Sequence, residues 1–231
     1  MREKSIIKSI RDNNSDLDER IAMITGKRYV PRQNYFRNLE TGEDYWTIAG
    51  ALAFPTNRTP GFAVIVTAIR EQMPEEPVFK VLDEIEAPSV DALLHACEHR
   101  RYRYGYPHQL KALYGDPERF MPIVFDFNQR QDRGLYLVHP ADFQAHNRSE
   151  IYLERIWSYM KPGSDGNKRL ILGESDRLRS QLQNLPKDVQ TIEDYPAVAA
   201  LGYAANSLES LKPWMKATAE GRFVDTYDDD S

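Results

Sequence analysis

The sequence predicts an α/β domain in which helices cover both faces of a mixed sheet. Three apolar segments, residues 45–54, 62–69 and 78–85, follow one another with short breaks, and gaps this short favour antiparallel neighbours. The second segment, FAVIVTAI, is almost entirely apolar, as expected for a strand that is covered on both faces. From residue 89 onwards predicted helices and strands alternate, which is the order of an α/β protein.

The first predicted helix begins at Ser89, a favourable N-cap residue, and has Asp91 in its first turn. Its apolar residues form one stripe, which consists of Val90, Leu93, Leu94 and Cys97. The helix ends near Gly105. A fourth strand over residues 111–114 follows, and it ends abruptly at Gly115, Asp116 and Pro117.

The later elements are a predicted hairpin, a short strand and three helices. The hairpin joins residues 122–127 to residues 134–139, and the strand covers residues 169–172. One helix begins at Ser149, a second carries Leu178, Leu182 and Leu185 before Pro186, and a third spans residues 196–211 with proline in its first turn.

Three parts are predicted along the chain. Residues 1–44 form an accessory arm, with a short helix beginning at Ser15 and an irregular segment over residues 27–44. Residues 45–212 form the domain. Residues 213–231 form an acidic tail that is expected to be disordered.

Composition limits the class of protein. The net charge of the 231 residues is −5, whereas proteins that bind nucleic acid mainly through phosphates carry a basic excess. Any contact with DNA must therefore depend on a local basic patch. The single cysteine forms no intrachain disulfide, and neither a secretory signal nor an apolar run of roughly 18 residues is evident. We expect a soluble, cytoplasmic protein that does not bind membranes.

Asp116 is the first candidate for a functional residue. It follows the fourth strand in the segment LYGDP, and ligands of α/β sheets gather at the carboxyl ends of strands. A carboxylate at that position faces a crevice on a rigid support. The alternative is a simple turn, because Gly-Asp-Pro commonly opens a loop.

Asp194 is the second candidate, in the segment IEDYPAVAALGYA. Its alternative role is that of an N-cap, because it precedes a helix with proline in the first turn. The helix itself has small side chains over two turns, namely Ala197, Ala199, Ala200, Gly202, Ala204 and Ala205. Such a helix can lie very close to a sheet, which brings its first turn near the strand ends.

An acidic cluster and a basic segment are further candidates. Alternation along the third strand places Glu84 and Glu86 on one face and Asp83 on the other, unless this is simply an exposed strand end. The segment HRRYRYGYPH, residues 99–108, combines arginine with tyrosine, which can hold phosphates and stack on bases. The alternative for this segment is a solvated helix surface.

Carboxylates that converge from separate strands and a helix suit hard cations. Mg²⁺ and Mn²⁺ prefer oxygen ligands and keep several waters. Two such ions about 3.5–4 Å apart activate a water and stabilise the leaving oxygen in phosphodiester cleavage. This chemistry normally requires several acidic ligands.

Three blocks between residues 45 and 211 resemble, in the same order, the nuclease domain of phage large terminases. They are VFKVLDEIEAPSVDALLHACEHRRYRYG, ALYGDP, and RLILGESDRLRSQLQNL followed by DVQTIEDYPAVAALGYAANSL. The resemblance implies an RNase H-like fold with a five-stranded mixed sheet, whose first three strands are antiparallel. It also implies Mg or Mn as cofactor, and double-stranded DNA and other phage packaging proteins as partners.

The resemblance places metal-binding carboxylates at Asp116 and Asp194, the latter followed by an Ala-Leu-x-Tyr-like segment at residues 200–203. Members of the family also carry a metal-binding Asp in the first strand, where this chain has only apolar residues at 49–53. Asp44 lies too early in that strand, so Glu84 is predicted to substitute. No G-x-x-x-x-G-K-[ST] loop occurs, so neither a nucleoside triphosphate site nor the packaging ATPase is expected.

Three functional hypotheses follow. The first is a metal-dependent nuclease of phage or prophage DNA processing, with Asp116, Asp194 and Glu84 as ligands. In this hypothesis the basic segment contacts DNA through Arg100, Arg101, Arg103 and Tyr104. The second is a catalytically inactive terminase-like module that binds DNA or a protein. The third is a host protein with the same fold and an unrelated role.

Overall fold

The computed structural model describes residues 29–31, 36–69, 78–103, 110–115, 149–186 and 194–206, together with residues 122, 123, 125, 126, 129 and 192. The strands are β1 (Tyr29–Pro31), β2 (Phe36–Asn38), β3 (Asp44–Ala53), β4 (Gly61–Ile69), β5 (Phe79–Ala87), β6 (Leu110–Tyr114) and β7 (Leu170–Ile171). The helices are α1 (Val90–Arg103), α2 (Ser149–Met160), α3 (Asp176–Gln183) and α4, which is described over residues 196–206.

All of these strands belong to one mixed sheet. β3, β4 and β5 are consecutive antiparallel neighbours, β6 is parallel to β3, and β7 is parallel to β5. The predicted α/β arrangement, a mixed sheet whose first three strands are antiparallel, is confirmed. β2 pairs with the first residues of β3, and β1 pairs with β2, so two short strands extend the sheet beyond the five predicted ones.

Helices cover both faces of the sheet, as predicted. All nine residues of β4 are buried, and their side chains alternate between two apolar clusters. Phe62, Val64 and Val66 pack with α2, α3 and α4 on one face. Ala63 and Ile65 pack with α1 on the other face. Burial on both faces explains why the β4 sequence is continuously apolar rather than alternating.

α1 begins where the sequence predicts. The Ser89 hydroxyl accepts the Ala92 backbone N–H at 3.2 Å, so the predicted N-cap is confirmed. Cys97, on the buried face of this helix, is completely inaccessible. Burial, together with the negative charge of Asp83, raises the pKa of the Cys97 thiol to about 12. The thiol is therefore protonated at neutral pH and serves as a packing group.

The small side chains of α4 allow a close approach to α2. A Cβ atom added to Gly202 would lie 2.8 Å from the Cβ atom of Tyr152. The rings of Tyr152 and Tyr203 meet edge to face, with centroids 5.1 Å apart. α4 also shares an apolar cluster with Ala51 and Ala53 of β3, so it packs on the sheet as well.

Two sequence predictions differ from the structure. Residues 122, 123, 125 and 126, which were predicted as part of a strand, are helical. A short apolar run does not distinguish a strand from a helix, and Ile123 packs against the cluster on the α1 face. β1 and β2 replace the predicted irregular segment, because edge strands of three residues depend on pairing rather than on composition. The helix predicted from Ser15, residues 134–139 and residues 207–231 lie outside the described part of the chain.

No helix within the described residues combines the length and the apolar character that crossing a membrane requires.

Candidate metal and nucleic-acid site

The ends of β3, β5 and β6 define the location of the candidate site. The three strands run in the same direction, so they end at one edge of the sheet, which we call the carboxyl edge. Tyr114 of β6 pairs with Ala51 of β3. Ala51 pairs with Val64 of β4, and Val64 pairs with Glu84 of β5, so these residues lie side by side across the sheet. Three strand spacings therefore separate Tyr114 from Glu84, a distance of about 14 Å.

Asp116 lies outside the described residues, so only its approach to the site is known. β6 ends at Tyr114, and Gly115 is buried. The chain thus reaches the carboxyl edge beside β3 one residue before Asp116. The structure supports the predicted strand, and the functional role of Asp116 remains a prediction.

Asp194 lies in a hydrogen-bonded turn immediately before α4. The Tyr195 N–H donates to the Ile192 carbonyl at 3.0 Å, and Ile192 is buried. The first helical bond joins Ala199 N–H to the Tyr195 carbonyl at 2.9 Å, so Tyr195 occupies the N-cap position instead of Asp194. Asp194 is exposed, and among the described residues no hydrogen bond or ion pair involves its carboxylate.

A residue of α3 caps α4. The Gln181 side-chain oxygen accepts the Ala197 backbone N–H at 2.9 Å. At the other end, Leu201, Ala204 and Ala205 line a small apolar cavity with Phe79, the first residue of β5. α4 therefore runs from the neighbourhood of α3 towards the start of β5. Its first turn, with Asp194 before it, lies at the end of α4 away from this cavity.

A β-bulge in β5 determines the direction of the acidic side chains. Asp83 pairs with Ile65 and Val81 pairs with Val66, so Leu82 is an extra residue on β5. From this point on, the alternation of the β5 side chains between the two faces of the sheet is shifted by one residue. Beyond the bulge, Glu84 points to the α3 face and Ile85 to the α1 face, which is the distribution predicted for the acidic cluster.

Glu84 caps α3. Its two carboxylate oxygens accept the backbone N–H groups of Arg177 and Leu178, each at 3.1 Å. Ser175, which occupies the N-cap position of α3, makes no side-chain capping bond, so Glu84 takes over that function. The capping bonds account for the position of Glu84, and the predicted role as a metal ligand remains a prediction.

The arginines around the start of α3 are paired with carboxylates other than Glu84. Arg177 forms an ion pair with Glu86, two residues along the same strand face. Arg179 pairs with Asp176 at 3.2 Å and donates to the Gly173 carbonyl at 2.8 Å. Glu84 therefore contacts α3 through backbone N–H groups at the positive end of the helix dipole.

β3 carries no carboxylate near the carboxyl edge. Its last four residues, Gly50, Ala51, Leu52 and Ala53, are buried and apolar. Asp44 is the first residue of the strand, roughly 23 Å from Ala51 at the usual rise per residue. It also accepts two hydrogen bonds from the Arg37 guanidinium, at 2.8 and 3.0 Å.

The described part of the basic segment lies at the end of α1 that is farther from the end of β5. Arg100, Arg101 and Arg103 belong to the last turn of α1, and Tyr104 lies outside the described residues. α1 leads from the end of β5 back towards the start of β6. Its 14 residues therefore separate the basic segment from the carboxyl edge by about 20 Å.

The described residues alone do not assemble a metal centre, since no group of three or more His, Cys, Asp or Glu side chains converges among them. Asp194 is an exposed carboxylate without a partner among the described residues, and β6 ends at the carboxyl edge two residues before Asp116. Gln181 was not among the predicted residues. A capping residue that lies 16 positions before the N–H group it binds leaves no local sequence signal.

Of the comparisons with known proteins, the one with solved structures finds a similarity. No family model matches the chain, and no curated protein sequence matches it significantly. Among solved structures, the chain is similar to the crystal structure of the g2p (large terminase) nuclease domain from the bacteriophage SPP1, determined with bound Mn. The identity is 13% and the TM-score 0.44, over 68% of this chain and 84% of that chain.

Proposed function

We propose that this chain is a metal-dependent nuclease that cleaves DNA phosphodiesters, with Asp116 and Asp194 as its cation ligands. The observation that carries the proposal is the state of Asp194. It is exposed, held in a hydrogen-bonded turn, and free of partners in the described part of the chain. Glu84 and Glu86, in contrast, are both engaged in contacts with α3.

The chemistry of the donors fits Mg²⁺ or Mn²⁺. A carboxylate that accepts no hydrogen bond within the described residues keeps its oxygen lone pairs for a hard cation. When bound, such an ion activates a water and stabilises the leaving oxygen of the phosphodiester. The chain supplies rigidity, because β6 and the Ile192–Tyr195 turn fix the backbone on either side of the proposed site.

The basic end of α1 extends the proposed DNA contact away from the site. About 20 Å separates it from the strand ends, which corresponds to roughly six base steps of a duplex. We infer that Arg100, Arg101, Arg103 and Tyr104 contact the backbone of double-stranded DNA at this distance. The proposed setting is phage or prophage DNA processing in the cytoplasm, together with other packaging proteins.

Plasmid cleavage tests the proposal. Supercoiled plasmid is incubated with Mn²⁺ and either the wild type, the double variant Asp116→Asn/Asp194→Asn, or the control Asp165→Asn, which removes an exposed carboxylate in the turn after α2. We expect nicking by the wild type and the control, and a loss of at least about 100-fold in the double variant, since even outer-shell partners of metals contribute 10–100-fold. Equal cleavage by all three proteins would contradict the assignment, and so would its complete absence.

A catalytically inactive terminase-like module is the second candidate. It is favoured by β3, whose residues at the carboxyl edge are buried and apolar where the terminase pattern has a metal-binding Asp. A gel-shift assay with a DNA duplex separates the two candidates. Retention of DNA without cleavage, weakened when Arg100, Arg101 and Arg103 are replaced by Ala, supports the module.

A further inference from the structure

Two side-chain caps connect β5 to the turn that carries Asp194. The first is Glu84, whose oxygens accept the N–H groups of Arg177 and Leu178 at the start of α3. The second is Gln181, one turn further along α3, whose oxygen accepts the Ala197 N–H in the first turn of α4. We call this series of contacts the capping relay.

The position of α3 between its two capping contacts is fixed by packing. Leu178 and Leu182 are buried in the cluster beneath the helix. Gly173, in the turn before α3, lies so close to the Val81 carbonyl that an added Cβ atom would be 2.6 Å from that oxygen. The distance between Glu84 and Ala197 is therefore set by packing as well as by hydrogen bonds.

The relay also explains why the Asp194 carboxylate is available. An Asp just before a helix commonly satisfies one of the first free N–H groups of that helix. In α4 the Ala197 N–H is already bound to Gln181, and Tyr195 occupies the N-cap position. Asp194 is consequently left one residue outside the helix, with no capping bond.

We propose that Glu84 and Gln181 are positioning residues that hold Asp194 in the geometry required for cation binding, and that Glu84 is not itself a ligand. This inference rests on the proposed function. Each oxygen of Glu84 accepts one backbone N–H group of α3, and the guanidinium of Arg177 pairs with Glu86. A divalent cation at Glu84 would therefore compete for the oxygens that cap α3.

Manganese affinity, measured by titration calorimetry on the full chain, tests the relay. Two pairs of variants are compared with the wild type: Glu84→Ala with Glu84→Gln, and Gln181→Ala with Gln181→Glu. We expect each Ala variant to bind Mn²⁺ about tenfold more weakly, at the lower end of the range for outer-shell residues. We expect Gln181→Glu to recover most of the affinity, because it keeps the oxygen acceptor, and Glu84→Gln to recover part of it, because its amide keeps one of the two acceptors.

The two roles of Glu84 give opposite results. If Glu84 were a ligand, Glu84→Gln would be as weak as Glu84→Ala, since an uncharged amide replaces the carboxylate. Wild-type affinity in Gln181→Ala, with Asp194→Asn deficient, would overturn the relay and leave the proposed function intact. No Mn²⁺ binding by the wild type would remove the proposed function and the relay together. If the Ala variants fail to fold, the Mn²⁺ affinities of Glu84→Gln and Gln181→Glu still test the relay.

Discussion

The two ends of the sheet differ in how their carboxylates are used. Where β3 begins, Glu43 accepts hydrogen bonds from Lys80 at 2.7 Å and from Tyr45 at 2.6 Å, and Asp44 is held by Arg37. Towards the carboxyl edge Glu84 caps α3, and Asp194, in the turn before α4, has no partner among the described residues. The carboxylates at the first end therefore make contacts that hold the fold, whereas that of Asp194 makes none within the described residues.

This difference separates structural carboxylates from candidate functional ones by their contacts. A paired carboxylate loses favourable interactions when it is replaced, whereas an exposed and unpaired one usually changes stability by less than about 0.5 kcal/mol. Substitutions at the two ends should accordingly affect different properties.

The largest expected effect on stability concerns the turn that leads into α3. Gly173 has φ +60° and Gly42, in the turn before β3, has φ +73°. An added Cβ atom at Gly173 would clash with the Val81 carbonyl at 2.6 Å, whereas at Gly42 it would meet nothing within 4 Å. We expect Gly173→Ala to lower the free energy of unfolding by about 3 kcal/mol and Gly42→Ala by about 1–2 kcal/mol. Urea unfolding measures both, and equal effects would show that the close packing at Gly173 is unimportant.

The next effect is a loss of stability at alkaline pH. Burial and the hydrogen bond to Glu43 raise the pKa of the Tyr45 hydroxyl from 10.0 to about 12. Because the folded pKa is raised, the contribution of Tyr45 is complete below pH 10 and is lost as pH rises towards 12. We expect the free energy of unfolding to fall over that range in the wild type, and to fall less in Tyr45→Phe. Identical pH profiles in urea unfolding would contradict this role for Tyr45.

Sequence patterns predicted the elements better than the contacts between them. The continuous apolar run of β4 and the apolar stripe of α1 were sufficient to predict these two elements. Burial of a strand on both faces, or of a helix on one face, imposes those patterns directly. β1 and β2 were missed since pairing with β3, and not composition, creates them. The strand predicted at residues 122–127 was wrong, because short apolar runs are compatible with either structure.

The candidate site was predictable only in part. The carboxyl edge followed from strand directions, and the position of Asp194 before a helix followed from Pro196. The capping relay did not follow from the sequence, since Glu84 lies 93 positions before Arg177 and contacts it only in the folded chain. Caps supplied by distant side chains depend on tertiary structure, so local rules assign the capping role to Asp194 instead.

A smaller effect is expected at the ion pair between Arg37 and Asp44. The Asp44 side chain is 19% exposed and its two oxygens accept from one guanidinium. We expect Asp44→Ala to lower the free energy of unfolding by about 1 kcal/mol, the upper range for pairs near the surface. The loss should shrink in 1 M salt, because screening weakens the pair in the wild type. A salt-independent loss would indicate that packing, and not charge, holds β2 against β3.

The most direct test of the central claim compares Asp194→Asn with the wild type in urea unfolding, in EDTA and in excess Mn²⁺. In EDTA we expect the two proteins to differ by less than about 0.5 kcal/mol. In Mn²⁺ at about 100 times its dissociation constant, the wild type should gain about 2.7 kcal/mol, and Asp194→Asn should gain much less. A loss of stability in EDTA, or an equal gain in Mn²⁺, would show that Asp194 is a structural residue and not a cation ligand.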